Sequence, residues 1–426
     1  MGAGPLAATF LADFGADVIK IESPDGDIFR AAAPARSPRM GAGYLNLNRN
    51  KRSLSLDLKT AEGRAALDRL VADADVLLHN MRPKAIERLD LGYERLAALN
   101  ERLIYCAAVG FGSDGPYAND PAYDDVIQSM TGFASMNIDP EAEPQLLPTI
   151  LTDKVAGLYA LAGILGALLS RQRTGRGMAV EAAMFESLAS FMLAEHLSGH
   201  VFEPPEGSLR YDRLTSPHRR PHRTADGYIA TLPYSGKHWQ KVLQVIGRED
   251  LAEAGWVRDD AARSERIGEL YAVLAEAMPQ RSTAEWLAEL KRLDIPCGPV
   301  NRLEDLVADE LVALGARPER TGRGSVSVGL TTRRLYAANL FLRCATRVLV
   351  RIDRFTARSF ADLERHITAI DWSPWLPSDA VPRFRVTTRH SRLWHDGAVG
   401  ERFAAAFPAT GDRHDDRHVR RLGRGM

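Results

Sequence analysis

The sequence predicts an α/β fold: a large domain on a parallel sheet, a smaller α+β domain, and an incomplete α+β segment at the C-terminal end. Three observations carry this. From Asp17 to Met184, apolar strands alternate with helical patterns of roughly 10–15 residues, the texture of strand–helix–strand units. After His196 the chain turns Pro- and Arg-rich and then mostly helical. From about Ala316 onward lysine is absent and arginines outnumber acids by roughly two to one. The expected divisions are a large domain at 1–200, a crossover at 201–224, a small α+β domain at 225–315, a C-terminal fragment at 316–405 and a disordered polar tail at 406–426.

The first unit opens with a helix, PLAATFLADFG, and a strand, DVIKIE. Parallel sheets are built from strand–helix–strand units, so a helix without a strand before it is an odd start, and an earlier strand is expected. In NRNKRSLSLDLKT, Arg49, Lys51 and Arg52 crowd ahead of the strand SLSLDL. They read equally well as a solvated loop or as a site for a phosphorylated ligand. The second unit runs through helix TAEGRAALDRLVADA, strand DVLLHN and a turn, MRPKAIERLDL; the third has helix GYERLAALN and strand RLIYCAAVGFG. Ligands of such sheets bind beyond the carboxyl ends of the strands, so the loops after these strands share one rim.

The stretch Leu147–His196 organises the rest. Asp153 stands just ahead of an apolar, small-residue helix whose pattern from Val155 to Leu169 predicts burial on most sides. The positive end of that helix favours an anionic Asp153. Its role is open on pattern alone, since Asp153 or Thr152 could cap a core helix or Asp153 could act as a nucleophilic carboxylate. The TGRG turn, Thr174–Gly177, ends the helix and feeds the alternating strand MAVEAAM.

Beyond the Pro/Arg-rich VFEPPEGSLRYDRLTSPHRRPHR, where His218 and His222 read as loop residues, DGYIATLPYSGKHWQKVLQVIG predicts strand, turn and helix. Helical patterns follow in RIGELYAVLAEAM and STAEWLAELKRL, and IPCGPV and RLEDLVAD close the small domain. YAANLFLRCATRVLVRIDRF and RSFADLERHITAIDWSPWL then predict helix, strand and helix, and FRVTTRHSRLWH a strand.

At 426 residues and 45% hydrophobic content the chain supports two or three domains. With 55 basic and 55 acidic residues, nothing global points to nucleic acid or an anionic membrane. Cys106, Cys297 and Cys344 lack metal-like or disulfide-like spacing, which suits a reducing cytoplasm. The start has no basic n-region, and the Val155–Leu169 run falls short of the roughly 20 residues of a membrane span.

Residues 1 to about 310 resemble the class III CoA-transferases, such as formyl-CoA transferase and carnitine-related CoA-transferases, which share their fold with α-methylacyl-CoA racemase. The resemblance lies in AGPLAATFLADFGADVIKIE, NRNKRSLSLDLKT, ADVLLHNMRP, PAYDDVIQSMTG, TDKVAGLYALAGILGAL, TGRGMAVEAAMFE and IPCGPVN. It implies a Rossmann-like large domain, a homodimer, and acyl-CoA and carboxylic acid substrates; with the composition, the expectation is a cytoplasmic protein with no metal, membrane or nucleic-acid partner. The residue matching the nucleophile is Asp153, which would form an aspartyl anhydride and then an aspartyl-CoA thioester. Coenzyme A contacts would fall to Leu56, Lys59, Asn80, Met81, Arg82, Arg88 and Tyr123. Tyr123 stands where the racemase branch has a histidine; with a pKa near 10 it is a poor base, which favours transfer over racemisation.

This sequence departs from the family pattern in four places. Ser23 replaces an arginine and Gly2 a glutamine of the formyl-CoA enzyme, and Met1 falls after the family's first strand and active-site loop, so a free sheet edge is expected. After about Leu314 the family pattern ends, and Leu335–Arg402 instead resembles the N-terminal region of THUMP-containing RNA methyltransferases. A fusion of two truncated genes, giving a catalytically impaired CoA-binding remnant, is the alternative expectation. The acyl group and acceptor acid are not legible.

Overall fold

The structure, a computed structural model, describes residues 2–35, 37–136, 143–322, 325–331, 334, 352–353, 355–372 and 396–406. It divides into two compact units, Met1–Arg302 and Leu303–Met426.

In the first unit helix α1 (Ala3–Asp13) leads to strand β1 (Val18–Glu22), then to helix α2 (Ala42–Leu47) and strand β2 (Lys51–Ser55). Helix α3 (Ala61–Asp73) and strand β3 (Val76–His79) follow, then helices α4 (Pro83–Leu89) and α5 (Tyr93–Leu99), strand β4 (Ile104–Val109) and helix α6 (Asp124–Met130). Helix α7 (Leu151–Thr174), strand β5 (Met178–Ala183) and helix α8 (Met184–His196) complete the large part. β3, β4 and β5 form one parallel sheet in that order, and β1 and β2 form a separate parallel pair. Among the described residues β1 therefore bonds only to β2 and β3 only to β4, so each keeps one open edge.

The alternation read from the sequence recurs here, with one local correction. MRPKAIERLDL is not a turn but contains α4, whose Pro83 at the first helical positions supplies a fixed φ and needs no N–H partner. Its left-handed end at Asp90 (φ 56°) bends the chain back after two turns, too short for a visible apolar period.

α7 is the axis of the large part. It starts four residues earlier than its apolar run and spans 24 residues, ending at Gly175, whose φ of 75° suits the turn. By length and composition this helix, unlike the shorter apolar run, is enough to cross a bilayer. Nine of its residues are nonetheless buried, and it packs on α1, α6, α8, β4 and β5. Its glycines permit that approach: a Cβ on Gly157 would lie 3.0 Å from the Ala3 carbonyl, and one on Gly163 only 2.6 Å from Val180 Cγ1. The core on one side joins Ala3, Ala108, Ile127, Val155, Ala156, Met184 and Leu188.

The rest of the unit holds helix α9 (Asp212–Thr215), strands β6 (His222–Arg223) and β7 (Tyr228–Thr231), and helix α10 (Gly236–Val245). Short helices α11 (Glu249–Ala252), α12 (Gly255–Arg258) and α13 (Asp260–Glu265) precede the longer α14 (Ile267–Ala277) and α15 (Thr283–Arg292) and strand β8 (Cys297–Pro299). β6, β7 and β8 make an antiparallel sheet over a core containing Trp239, Tyr271, Leu274 and Trp286. The helix α15 carries a full capping box between Ser282 and Glu285.

In the second unit helix α16 (Leu303–Ala313) packs on an antiparallel pair, β9 (Arg317–Gly322) and β10 (Ser325–Gly329). The sequence reading assigns α16 to the small α+β domain; the division at Arg302 instead puts it with this pair. Helices α17 (Phe360–Ala369) and α18 (Asp396–Ala406) meet through Leu363, Ile367 and Val399. The strand predicted in FRVTTRHSRLWH, Cys344, most of YAANLFLRCATRVLVRIDRF and the tail after Ala406 lie outside the described residues.

Candidate active site

Asp153 lies in the first turn of α7, three residues past Ile150 at the N-cap, and not ahead of the helix. Nor does it cap its own helix, which has no side-chain cap. Its Oδ1 accepts two backbone N–H bonds from the start of α1, from Gly2 at 2.7 Å and Ala3 at 2.8 Å. Two helix N-termini thus converge on one carboxylate, each contributing free amides and a positive dipole end. The approach depends on Gly2, where a Cβ would sit 3.0 Å from Ile150 Cδ1 and 3.4 Å from Asp153 Cβ.

A second carboxylate supports the first. Asp124, buried at the start of α6, accepts from the Asp153 backbone N–H at 3.0 Å and from Thr152 Oγ1 at 2.6 Å through the same oxygen, Oδ1. Its Oδ2 accepts from Gln128 Nε2 at 2.6 Å, and Gln128 Oε1 accepts from Leu147 N–H at 3.0 Å. Burial raises the Asp153 carboxyl above the usual carboxylate range and Asp124 adds to the rise, against the lowering by the Ala3 and Gly2 amides. Asp153 is 4% exposed, so its uncovering belongs to any reaction at this carboxylate.

The sequence-derived contacts fall into two sets. Asn80, Met81 and Arg82 follow β3, and Gly4 in the first turn of α1 faces Asn80, with a Cβ there 3.8 Å from the Asn80 Cβ. Arg82 Nη1 donates to the Asn119 carbonyl at 3.2 Å, and Tyr123, 60% exposed, directly precedes Asp124. Asn80, Met81 and Arg82 thus follow β3 and Tyr123 follows β4, next to the Asp124 that bonds the Asp153 backbone. Leu56, Lys59 and Arg88 make no bond to Asp153 or its partners: Leu56 N–H donates to the Glu22 carbonyl, Lys59 N–H to Asp57 Oδ1, and Arg88 Nε to the Lys84 carbonyl.

The basic triplet is engaged within the protein. Arg49 pairs with Asp13 and Arg52 with Asp17. Lys51 Nζ donates to the Pro5 and Leu47 carbonyls at 2.7 Å each, and burial lowers its pKa to about 7. No cluster of metal-ligating side chains occurs among the described residues.

Sequence reasoning missed Asp124, Thr152 and Gln128. For Asp124 and Gln128 the signal was present as two acids opening a helix and a glutamine one turn on, in DDVIQ, whereas Thr152 was read only as a candidate cap. It also missed His79, which ends β3 5.0 Å from the Tyr105 ring and whose pKa burial lowers to about 4.

Over residues 1–329 the chain matches the family described as CoA-transferase family III. It is 33% identical over 340 residues to a probable fatty acyl-CoA transferase of Mycobacterium tuberculosis, spanning 76% of this chain and 86% of that protein. It is 31% identical over 342 residues to the succinate–glutarate CoA-transferase of Agrobacterium fabrum, spanning 78% and 85%. Among solved structures, a CAIB/BAIF family protein from Brucella suis matches with a TM-score of 0.62 at 31% identity, over 79% of this chain and 94% of that one. A hypothetical protein from Mycobacterium tuberculosis matches with a TM-score of 0.63 at 34% identity, over 74% and 84%.

Proposed function

Because the chain belongs to CoA-transferase family III, we propose that it moves coenzyme A between carboxylic acids with Asp153 as the covalent nucleophile. The observation that carries this is the one-sided bonding of Asp153. Both backbone donors bind Oδ1, and no hydrogen bond engages Oδ2 among the described residues. Oδ2 is then the oxygen that attacks the thioester carbon of an acyl-CoA; the C–S bond breaks and CoA leaves as a thiolate, giving a mixed anhydride.

The thiolate next attacks the Asp153 Cγ. Negative charge develops on Oδ1, where the Gly2 and Ala3 amides already point, and a fixed pair of donors needs no reorganisation at that moment. The donor carboxylate leaves and an aspartyl-CoA thioester remains. An acceptor carboxylate displaces CoA from Cγ, the released thiolate attacks the acceptor's acyl carbon, and Asp153 returns as a carboxylate. No ATP is consumed, since each acyl bond is exchanged for another of similar energy.

Around this centre, Asn80, Met81, Arg82 and Tyr123 are the proposed CoA contacts. Leu56, Lys59 and Arg88 are assigned to the outer part of CoA, where guanidinium and ammonium groups suit phosphates. A homodimer is supported by α7: Leu158, Leu165 and Leu169 share one helical face and are 52%, 40% and 63% exposed. The proposed compartment is the cytoplasm.

The test mixes the purified protein with succinyl-, glutaryl-, acetyl- and formyl-CoA and with succinate, glutarate, malate and oxalate, and follows ester exchange. Exchange by the parent and its loss in Asp153→Ala supports the reading; equal exchange by both overturns it. The burial of Asp153 favours one other reading, a CoA-binding protein without turnover, which binding of CoA with no exchange across the panel would support.

A further inference from the structure

The segment Arg213–His222 concentrates unpaired polar atoms. Seven buried side-chain nitrogen or oxygen atoms find no partner among the described residues, and four of them lie here: Arg213 Nη2, Ser216 Oγ, His218 Nδ1 and His222 Nδ1. Buried polar groups are almost always paired, so such clustering marks a place shaped for something other than packing.

Beside the segment opens a cavity of about 430 Å³, and of these four residues His222 lines it. Arg219, Arg220, His222, Thr231, Tyr271 and Cys297 are among the residues that line it. Among the described residues no aspartate or glutamate borders it. Arg219 and Arg220 have no carboxylate partner among the described residues, whereas Arg248, Arg266 and Arg292 in the same part are each ion-paired. Two backbone bonds set the pair in place, Arg219 N–H to the Ser216 carbonyl and Arg220 N–H to the His218 carbonyl.

The walls are firm. His222, 4% exposed, is held in β6 against Ile229 of β7, and Tyr271 lies in the core with its hydroxyl accepting from Arg213 Nε at 3.0 Å. The Arg213 guanidinium in turn stacks on Tyr234 at 4.6 Å. Burial with Arg220 and His218 close by lowers the pKa of His222. A cavity whose charged lining is all basic, on a rigid frame, is complementary to an anion.

We infer that this cavity binds a small anionic molecule, its carboxylate or phosphate held by the Arg219 and Arg220 guanidiniums and the His222 imidazole. Its apolar part lies against Pro221, Leu232 and Tyr271. Guanidinium forks match both oxyanions, and the volume suits a short organic acid or phosphate ester. The inference does not rest on transfer chemistry, so its test uses the full chain carrying Asp153→Ala.

Calorimetric titration at low salt compares inorganic phosphate with butyrate on that protein and on a version with Arg219→Ala and Arg220→Ala added. Both arginines are exposed, so the altered chain is expected to keep its melting temperature. The expected result is saturable binding weakened by about tenfold or more in the altered chain, the loss of one charge-assisted hydrogen bond, with a shift of the His222 imidazole resonance on saturation. Preference for phosphate assigns the site to phosphate groups, and preference for butyrate assigns it to carboxylates; either supports it. Failure of both anions to saturate, or equal binding by the altered chain, overturns it.

Discussion

Asp124 Oδ1 accepts the backbone N–H of Asp153 at 3.0 Å, so the carboxylate proposed as nucleophile is set in place by a second buried carboxylate. That second group also takes the hydroxyl of Thr152 and the amide of Gln128. It fixes the first turn of α7, and to the rise that burial imposes on the Asp153 carboxyl it adds a smaller like-charge repulsion.

Asp124→Asn therefore has two separable effects. The acid limb of the pH–rate profile moves to lower pH, because the repulsion on Asp153 is gone. Turnover falls about tenfold, since an amide at Oδ2 faces the Gln128 amide; Asp124→Ala, losing every bond, falls by about a thousandfold or more, at roughly 1.5–3 kcal/mol per charged hydrogen bond. Steady-state rates between pH 4 and 9, roughly spanning the carboxylate and neutral range, check both. An unmoved acid limb would show that Asp124 does not act on Asp153.

Asp153→Asn is predicted to raise thermal stability while abolishing exchange. The folded carboxyl is raised above its ordinary value of 3.8 by burial, so the native state holds its proton longer than the unfolded chain does. The stability of the parent hence falls as pH rises from that ordinary value through the raised one. The asparagine chain lacks this loss: its melting temperature is higher at neutral pH and the gap closes toward acid. Asparagine still offers an oxygen to the Gly2 and Ala3 amides, which keeps the comparison on charge. Melting curves at three pH values decide it.

Glu22 gives the opposite sign. Its carboxylate, 7% exposed, accepts from Arg30, Tyr44 and Ser53 and from the Asp27 N–H, and the Arg30 guanidinium above all holds it well below the usual carboxylate range. Its contribution is full above the ordinary value of 4.5 and is lost as pH falls through the depressed folded value. Glu22→Gln should cost about 2–3 kcal/mol at neutral pH by leaving Arg30 without its partner. Urea titrations at neutral and acid pH should show the two chains converging as the acid is protonated.

The strand–helix alternation was legible because each element carries its own period, and the TGRG stop of α7 because Gly175 is the one residue type at ease at φ 75°. What escaped were relations between distant segments. On pattern alone Asp153 reads as either a local cap or a nucleophile, yet its partners Gly2 and Ala3 lie about 150 positions away and act through backbone amides that leave no side-chain signature. Arg49 and Arg52 read equally well as solvated loop residues or as phosphate ligands because nothing in their own loop shows that Asp13 and Asp17 face them. The seven-residue helix α4 hid for a different reason: two turns hold too few apolar positions to reveal a period.

The closest test of the Asp153 arrangement is at Gly2. An added Cβ would sit 3.0 Å from Ile150 Cδ1, tighter than ordinary contact, and 3.4 Å from Asp153 Cβ. Gly2→Ala asks the flexible end of Ile150 to give way by a few tenths of an ångström, and Gly2→Val places two methyls in the same space. The alanine chain should retain activity within about threefold, while valine, by displacing α1 from Oδ1, should cost about a hundredfold, the scale of losing one oxyanion donor. Valine at the helix start leaves the N–H groups intact, so the loss reports their position and not their number. Rescue of the valine chain by Ile150→Val, which removes the crowded methyl, distinguishes this from general damage; without rescue, the convergence of α1 on Asp153 is not what sets the rate.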